Sequence, residues 1–456
     1  MADQSCSWWD PLDPAFLADP YPVYRRLRAQ GPVLWHDSLG SWVVTGYEPC
    51  ESILRDWNTF ASDFRRVGAE EPEECVSVQT LDPPEHRAVH RLLADAVRAQ
   101  DAGCLASEVY RAACQRLQEL AAHGGDFVAD VAMPVSIEAT LRLLGVRPDD
   151  GGRLVDLSTA VVASMNAGLR RDAEEVGRAA RRELSALIAR WSRHPADGGV
   201  VSYVAAHRNK AAVADSVIEN SLRVLLLAGI NSAQRMLGLG LLTVLRDTRA
   251  YGSLADARGV TPGAAHELVR LDNPFQAQSR RCTRPIELKG VHMSRGDTVV
   301  VLLGSANRDP AKFTRPDSFM PERRPNPHLG FGRGTHACLG APAALGLLRA
   351  TFAALASCGS GFALAGAPVF DQNPTLRGLV SLPVTPADGL ADGDRRAQSG
   401  TAEIGWVMNP GPSGAPGGST HGRDGRGHKV AAVEADPPAR PLTDRAFGVD
   451  GDPLMS

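Results

Sequence analysis

With 456 residues, 43% of them hydrophobic and 22% charged, the chain is long enough to bury a large core, and ordinary domain size sets a prior of about three folding units. The formal charge is only −3 and like charges nowhere gather into a block, so nothing in the bulk electrostatics points to nucleic acid or an anionic membrane as partner. Eight cysteines are scattered with no CxxC pair, the pattern of reduced thiols rather than of a disulfide scaffold.

The opening MADQSCSWWDPLDPAF has no basic segment leading into an apolar one, so no signal peptide is expected and the protein is read as cytoplasmic. A first helix is predicted over 20–30, followed by β signals at 33–36 and 41–45 on either side of a turn at Asp37 to Gly40. Helical periodicity continues at 84–99, 105–122, 134–145 and 173–192. The stretch 215–246 keeps an apolar stripe without proline and predicts one unusually long, mostly buried helix, with Ala228 and Gly229 near its middle. Its most apolar run, VLLLAGI, falls short of the roughly 20 residues that cross a bilayer, so no membrane span is expected. A helix at 263–271, β signals within 286–303 and a helix at 341–357 complete a mainly α chain with a small β region at one end. Residues 386–456, typified by NPGPSGAPGGSTHGRDGRGH, are rich in Gly and Pro and poor in apolar periodicity; they predict a disordered tail after a folded unit over 1–385.

One stretch concentrates chemistry: HLGFGRGTHACLG, residues 328–340. His328, His336 and Cys338 could ligate zinc, but the characteristic four-ligand spacing is missing. A thiol just ahead of a helix could be a nucleophile, activated by the helix N-terminus, yet no base or oxyanion hole accompanies it. A structural cysteine beside a Gly-rich turn is the blandest alternative. Haem iron is the fourth, and it explains the glycines, because main chain must approach a broad plane without Cβ clashes. Gly332, Gly334 and Gly340 would allow that approach, Phe331 would shield the sulfur, and the following helix would stabilise negative charge on it.

Phe331-Gly332-x-Gly334-x-His336-x-Cys338-x-Gly340 resembles the haem-binding signature of the cytochrome P450 family in its soluble bacterial form. The resemblance implies that fold over roughly residues 10–385, with haem b (iron protoporphyrin IX) between the long central helix and the cysteine-loop helix. It makes Cys338 the axial thiolate, with His336 holding a propionate. Glu267 and Arg270 match the family's ExxR pair, and Arg323 stands where a second Arg completes a buried triad. LDPPEHRAVHRLL resembles the helix that supplies a His and then an Arg to the propionates; here the pair is His86 and His90, the latter a departure from the pattern. Arg280 matches another propionate-binding Arg, with Arg281 a close competitor.

The central helix reads Ala228-Gly229-Ile230-Asn231-Ser232 where most relatives have Ala-Gly-x-acid-Thr. By resemblance the small residues open a groove for dioxygen, and positions 231 and 232 deliver protons. An amide has no readily ionised proton to give, although it can orient water. Ordinary hydroxylation through Ser232 and water is one expectation. Oxidative ring closure or carbon-carbon coupling without oxygen insertion, for example on a cyclic dipeptide or aromatic metabolite, is the alternative, and a non-catalytic helper protein is a third. Leu345 also departs from the family, which commonly has Arg there.

The resemblance implies a substrate pocket lined by 60–80, 163–175, Leu225, Phe275, Gln276, Gln278, Leu379 and Val380. No flavin or nicotinamide fingerprint is visible, so the expected electron donors are a separate ferredoxin and its reductase. Arg91, Arg98, Arg333 and Arg349 are candidates for the docking face. A monomer acting in natural-product biosynthesis is expected.

Overall fold

The computed structural model describes residues 5–147, 151–165, 171–247, 255–256, 259–358 and 361–387. The sheet near the N-terminal end has strand order Val33–His36, Ser41–Val44, Thr298–Leu302, Ala277–Cys282, Phe60–Ala61. Its first two strands form the expected hairpin, Leu34 opposite Val43. Thr298–Leu302 then joins Ser41–Val44 in parallel and Ala277–Cys282 antiparallel, so Val299 lies between Trp42 and Arg280. Every residue of Thr298–Leu302 is buried, as a central strand covered on both faces should be. A smaller sheet pairs Gly361–Leu364 with Pro383–Ala387, which also contacts Gly125–Asp126. Pro386 and Ala387 stand opposite Phe362 and Gly361. The tail expected from residue 386 therefore starts later, since these two residues belong to the sheet; from residue 388 onward it lies outside the described residues.

Helices make up the rest. Glu85–Arg98, Ala102–His123, Met133–Leu144, Glu174–Arg193, Pro262–Leu271 and Ala341–Ser357 match the sequence expectation closely. Asp101 caps Ala102–His123 by accepting from Cys104 N–H at 2.9 Å, and Thr261 caps the next-to-last by accepting from Ala264 N–H at 3.2 Å, with Pro262 at the tolerated first position. Tyr47–Arg55, Gly151–Ser164 and Gly199–His207 were not anticipated, because Pro49 and clustered Gly and Ser weaken their periodicity.

The central helix differs from its expectation in one respect. It runs as Asp215–Leu227, then a wide π turn over Ala228–Ser232, then Ala233–Arg246. By length and apolarity Asp215–Arg246 could cross a bilayer, which the short VLLLAGI run did not suggest, but 72% of its most apolar window is buried inside the protein. Leu237, Leu239, Leu241, Leu242 and Val244 are fully enclosed there by Leu348 and Phe352 of Ala341–Ser357 and by Leu117 and Val135. That packing sets the cysteine-loop helix alongside the central helix, with the loop at its N-terminal end.

Candidate active site

The cysteine loop is built by local turns. Gly332 N–H donates to Leu329 C=O at 2.9 Å, Ala337 N–H to Gly334 C=O at 3.1 Å, and Cys338 N–H to Phe331 C=O at 2.8 Å. Gly332 and Gly334 sit at φ +68° and +73°, a region L side chains rarely adopt. A Cβ at Gly334 would also come within 2.5 Å of Leu54 C=O. Both glycines serve the turn, and Gly334 also its seat on Tyr47–Arg55, a reason additional to the approach to a plane that the sequence suggests. Gly340 has an ordinary φ of −87° and would tolerate a Cβ, whose nearest neighbour is Cys338 Sγ at 3.8 Å. Burial pushes the Cys338 thiol up, while the Gly340 and Ala341 N–H groups at the start of the helix pull it down. Cys338 nevertheless keeps an accessible face, and so does Ala228 in the middle of the otherwise buried central helix.

Beside the thiol, three imidazoles converge. The His336 ring lies 4.5 Å from that of His86, which lies 5.2 Å from that of His90. His86 is 2% exposed and its Nδ1 has no hydrogen-bond partner among the described residues; burial lowers it to about 3, so it is neutral. Burial also lowers His90. Arg280 is buried, with its guanidinium donating only to Ser279 C=O at 2.7 Å and Gln278 Oε1 at 3.4 Å, and burial lowers it to about 10. It has no ion pair among the described residues. Arg281 faces away, donating to Gly296 C=O at 3.2 Å with its guanidinium 5.2 Å from the Phe64 ring. Strand alternation thus separates the two competitors.

Sequence reasoning missed Asp82. It is buried between His336 Nε2 at 3.1 Å and Arg66 Nη1 at 3.0 Å, and it accepts from Asp63 N–H at 3.2 Å. Burial pushes this carboxyl up, but the His336 bond and the Arg66 charge hold it below the usual range. Its signal was present in LDPPEH, just ahead of His86.

The triad is as expected and larger. Glu267 accepts from Arg270 Nε at 2.7 Å and Nη2 at 2.8 Å, from Arg323 Nε at 2.9 Å, from Asn326 Nδ2 at 3.0 Å and from Met320 N–H at 3.1 Å. Arg270 also donates to the carbonyls of Asn307, Pro316 and Ser318. One carboxylate thereby gathers the strand-to-loop segment that leads into the cysteine loop.

On the opposite wall, a Cβ at Gly229 would come 2.5 Å from Thr140 Oγ1, so this glycine lets Met133–Leu144 pack against the π turn. Asn231 is buried and Ser232 half-buried. Of the expected pocket residues, Leu225, Phe275 and Gln278 are half-buried and Val380 is exposed. Two expectations are corrected. Gln276 is turned inward, its Nε2 donating to Asn273 C=O at 2.5 Å and its Oε1 filling the space over Gly304, and Leu379 is packed into the apolar core near Gly238. Both side chains are enclosed by protein. Part of the expected 163–175 wall lies outside the described residues. Leu345 packs on the core at the base of the cysteine-loop helix.

The family model for cytochrome P450 matches residues 243–355. Nocardicin C N-oxygenase from Nocardia uniformis subsp. tsuyamanensis is 31% identical, with 82% of this chain and 97% of that protein aligned. The chain belongs to the cytochrome P450 family. The monooxygenase PikC from Streptomyces venezuelae is 29% identical over 83% of this chain and 94% of its own. Among solved structures, the polyketide biosynthesis P450 PksS from Bacillus subtilis superposes with a TM-score of 0.73 at 26% identity, covering 82% of this chain and 99% of that one.

This P450 is an enzyme of the monooxygenase kind, and its cofactor is protoporphyrin IX haem. The residues present fit that group. A thiol lies at a helix N-terminus for the iron, and for the two carboxylates there are, among the described residues, a buried imidazole nitrogen with no hydrogen-bond partner and a buried guanidinium in no ion pair, which feels the Asp82 charge only at longer range.

Proposed function

We propose that this P450 inserts an oxygen atom into a small organic metabolite, by hydroxylation or a related monooxygenation, in bacterial specialised biosynthesis, with Cys338 as the residue that would bind the iron. When bound, the haem supplies the reductive activation of dioxygen. Cys338 brings the thiolate, and the Gly340 and Ala341 amides stabilise its charge. His86, His90, Arg280 and His336 hold the propionates, Asp82 orienting the His336 ring. Ala228 and Gly229 would keep the space at the π turn free of bulk, and the Ser232 hydroxyl would hold water and pass protons. The Phe331 ring lies tilted against that of His328, centroids 5.8 Å apart, and would keep water from the sulfur.

Electrons come from a ferredoxin and its reductase. Arg91 is exposed on the His86 helix, Glu85–Arg98, and suits a docking face; Arg98, also exposed on it, is paired with Asp95. Arg349 is committed to Val260 C=O at 2.9 Å, and Arg333 lies 3.4 Å from Glu51, which makes them weaker candidates. Relatives named for nocardicin C N-oxygenation and for polyketide biosynthesis support the biosynthetic setting. A soluble cytoplasmic monomer is part of the same reading.

The observation that supports it most is the gathering of His86, whose Nδ1 has no partner among the described residues, and of buried Arg280, in no ion pair among them, around His336, two residues before Cys338. The decisive experiment is the absorbance of the reduced protein with carbon monoxide. A thiolate-type band is expected in the wild type and lost in Cys338→Ala; an imidazole-type band in the wild type would refute the ligand.

Asn231 favours a second reading, oxidative coupling without oxygen insertion, because its amide has no acidic proton. Product mass separates them: gain of one oxygen marks insertion and loss of two hydrogens marks coupling. Neither product from any substrate would leave a helper protein.

A further inference from the structure

Asn231 is anchored in a way that the position of an amide in a proton path does not require. Arg235, one turn along the central helix, donates from Nη1 to Asn231 C=O at 3.2 Å and to Asn231 Oδ1 at 3.3 Å. Its other terminal nitrogen pairs with Asp371, far along the chain at the start of the turn that leads to Gly378. The Asn231 amide nitrogen donates to Leu227 C=O at 3.2 Å. Because a guanidinium only donates and a carbonyl only accepts, this network fixes which end of the amide is oxygen.

The setting is built for this pair. The Arg235 side chain is 7% exposed and that of Asp371 29%. A Cβ at Gly378 would fall 2.1 Å from Arg235 Cγ, so the backbone there is left bare to admit the arginine. Arg235 Nε is a buried donor without an acceptor among the described residues, a cost that an apolar residue would avoid. On the outer side, a cavity of about 60 Å³ touches Arg235, Asp371, Gln372 and Thr159, enough room for water against the pair.

We infer that Arg235, held from outside by Asp371, locks Asn231 so that its amide offers the oxygen groove a hydrogen-bond donor and never an acceptor. A water bound there takes the Asn231 N–H on its oxygen and must aim its own hydrogens onward, toward Ser232 and the groove. The direction of proton delivery is set by Arg235 and Asp371, which are positioning residues acting through Asn231. The inference rests on the proposed role of the 228–232 segment.

The test needs no substrate. With NAD(P)H, a ferredoxin and its reductase, dioxygen takes two electrons and two protons to give hydrogen peroxide, or four of each to give two waters. The water-to-peroxide ratio per NAD(P)H therefore reads how well protons arrive. Arg235→Gln, Arg235→Lys and Asp371→Asn are expected to lower that ratio about fivefold at unchanged haem content and carbon monoxide spectrum, the size of one lost hydrogen bond. Lysine keeps the charge but cannot bridge Asn231 and Asp371 with a planar fork. In an Asn231→Ala background, Arg235→Gln is expected to change nothing further, since the route through Asn231 is already gone.

Asp371→Asn, at the solvent side, carries the test if an Arg235 variant fails to fold. An unchanged ratio in correctly loaded variants overturns the inference. So does an equal effect of Arg235→Gln with and without Asn231, or a wild type that makes peroxide alone. A wild type without the thiolate band would instead sink the proposed function.

Discussion

Glu267→Gln tests a carboxylate that gathers bonds from Arg270, Arg323, Asn326 and Met320. The substitution keeps the shape of the side chain and removes its charge, leaving Arg270 and Arg323, both nearly inaccessible, with no anion between them. The new amide can accept with one oxygen only. Its nitrogen must face guanidinium donors now held by Oε1 or Oε2, where Arg270 approaches both at 2.7–2.8 Å. Removing one partner of a buried, hydrogen-bonded ion pair costs about 3–5 kcal/mol, against less than about 1 kcal/mol for an exposed pair. Arg25→Ala supplies that comparison, since its bond to Asp317 at 3.1 Å joins side chains 64% and 41% exposed. The assay is urea denaturation of the haem-loaded protein, followed by Soret absorbance and far-ultraviolet dichroism. Glu267→Gln should lose Soret absorbance at distinctly lower urea than Arg25→Ala, because Met320, Arg323 and Asn326 lead directly into the cysteine loop. A loss below about 1 kcal/mol would refute the view that the carboxylate organises this segment.

Three further outcomes are expected. Gly334→Ala should destabilise by more than the ~1–2 kcal/mol of a left-handed residue alone, because its Cβ would also meet Leu54 C=O; an urea midpoint equal to wild type would contradict this. His328, lowered to about 3 by burial, accepts from Gly330 N–H at 3.1 Å and shares a proton with His266 across 2.9 Å. The unfolded chain therefore takes up a proton first, so its stabilisation is complete above about pH 6.5 and falls by about 1.4 kcal/mol per pH unit as acid is added toward pH 3. His328→Asn should flatten the fall in urea midpoint between pH 7 and 5, and parallel curves would show that another group is responsible. Truncation after Ala387 keeps the last paired strand and should leave haem content and the carbon monoxide spectrum unchanged.

What was legible in the sequence follows from how far apart the interacting residues are. Glu267 and Arg270 are three apart on one helix, and the cysteine loop fits within one turn of chain, so spacing alone brings those groups together. Asp82 reaches His336, and Asp371 reaches Arg235, across long stretches of chain, and no local period reports such a meeting. Arg235 was nonetheless readable as the i+4 neighbour of Asn231; only its outer partner needed the fold. Residue type also misleads where parity decides. Gln276 and Gln278 looked alike as amide handles, yet one is enclosed over Gly304 and the other stays half-buried beside Arg280. The glycines show the same limit from the other side. Their spacing pointed to the loop, but at Gly334 a left-handed backbone and a close contact with Leu54 C=O, on a helix the sequence did not reveal, also demand glycine. A motif can thus be recognised from its residues while its physical cause lies in a neighbour that only the folded chain supplies.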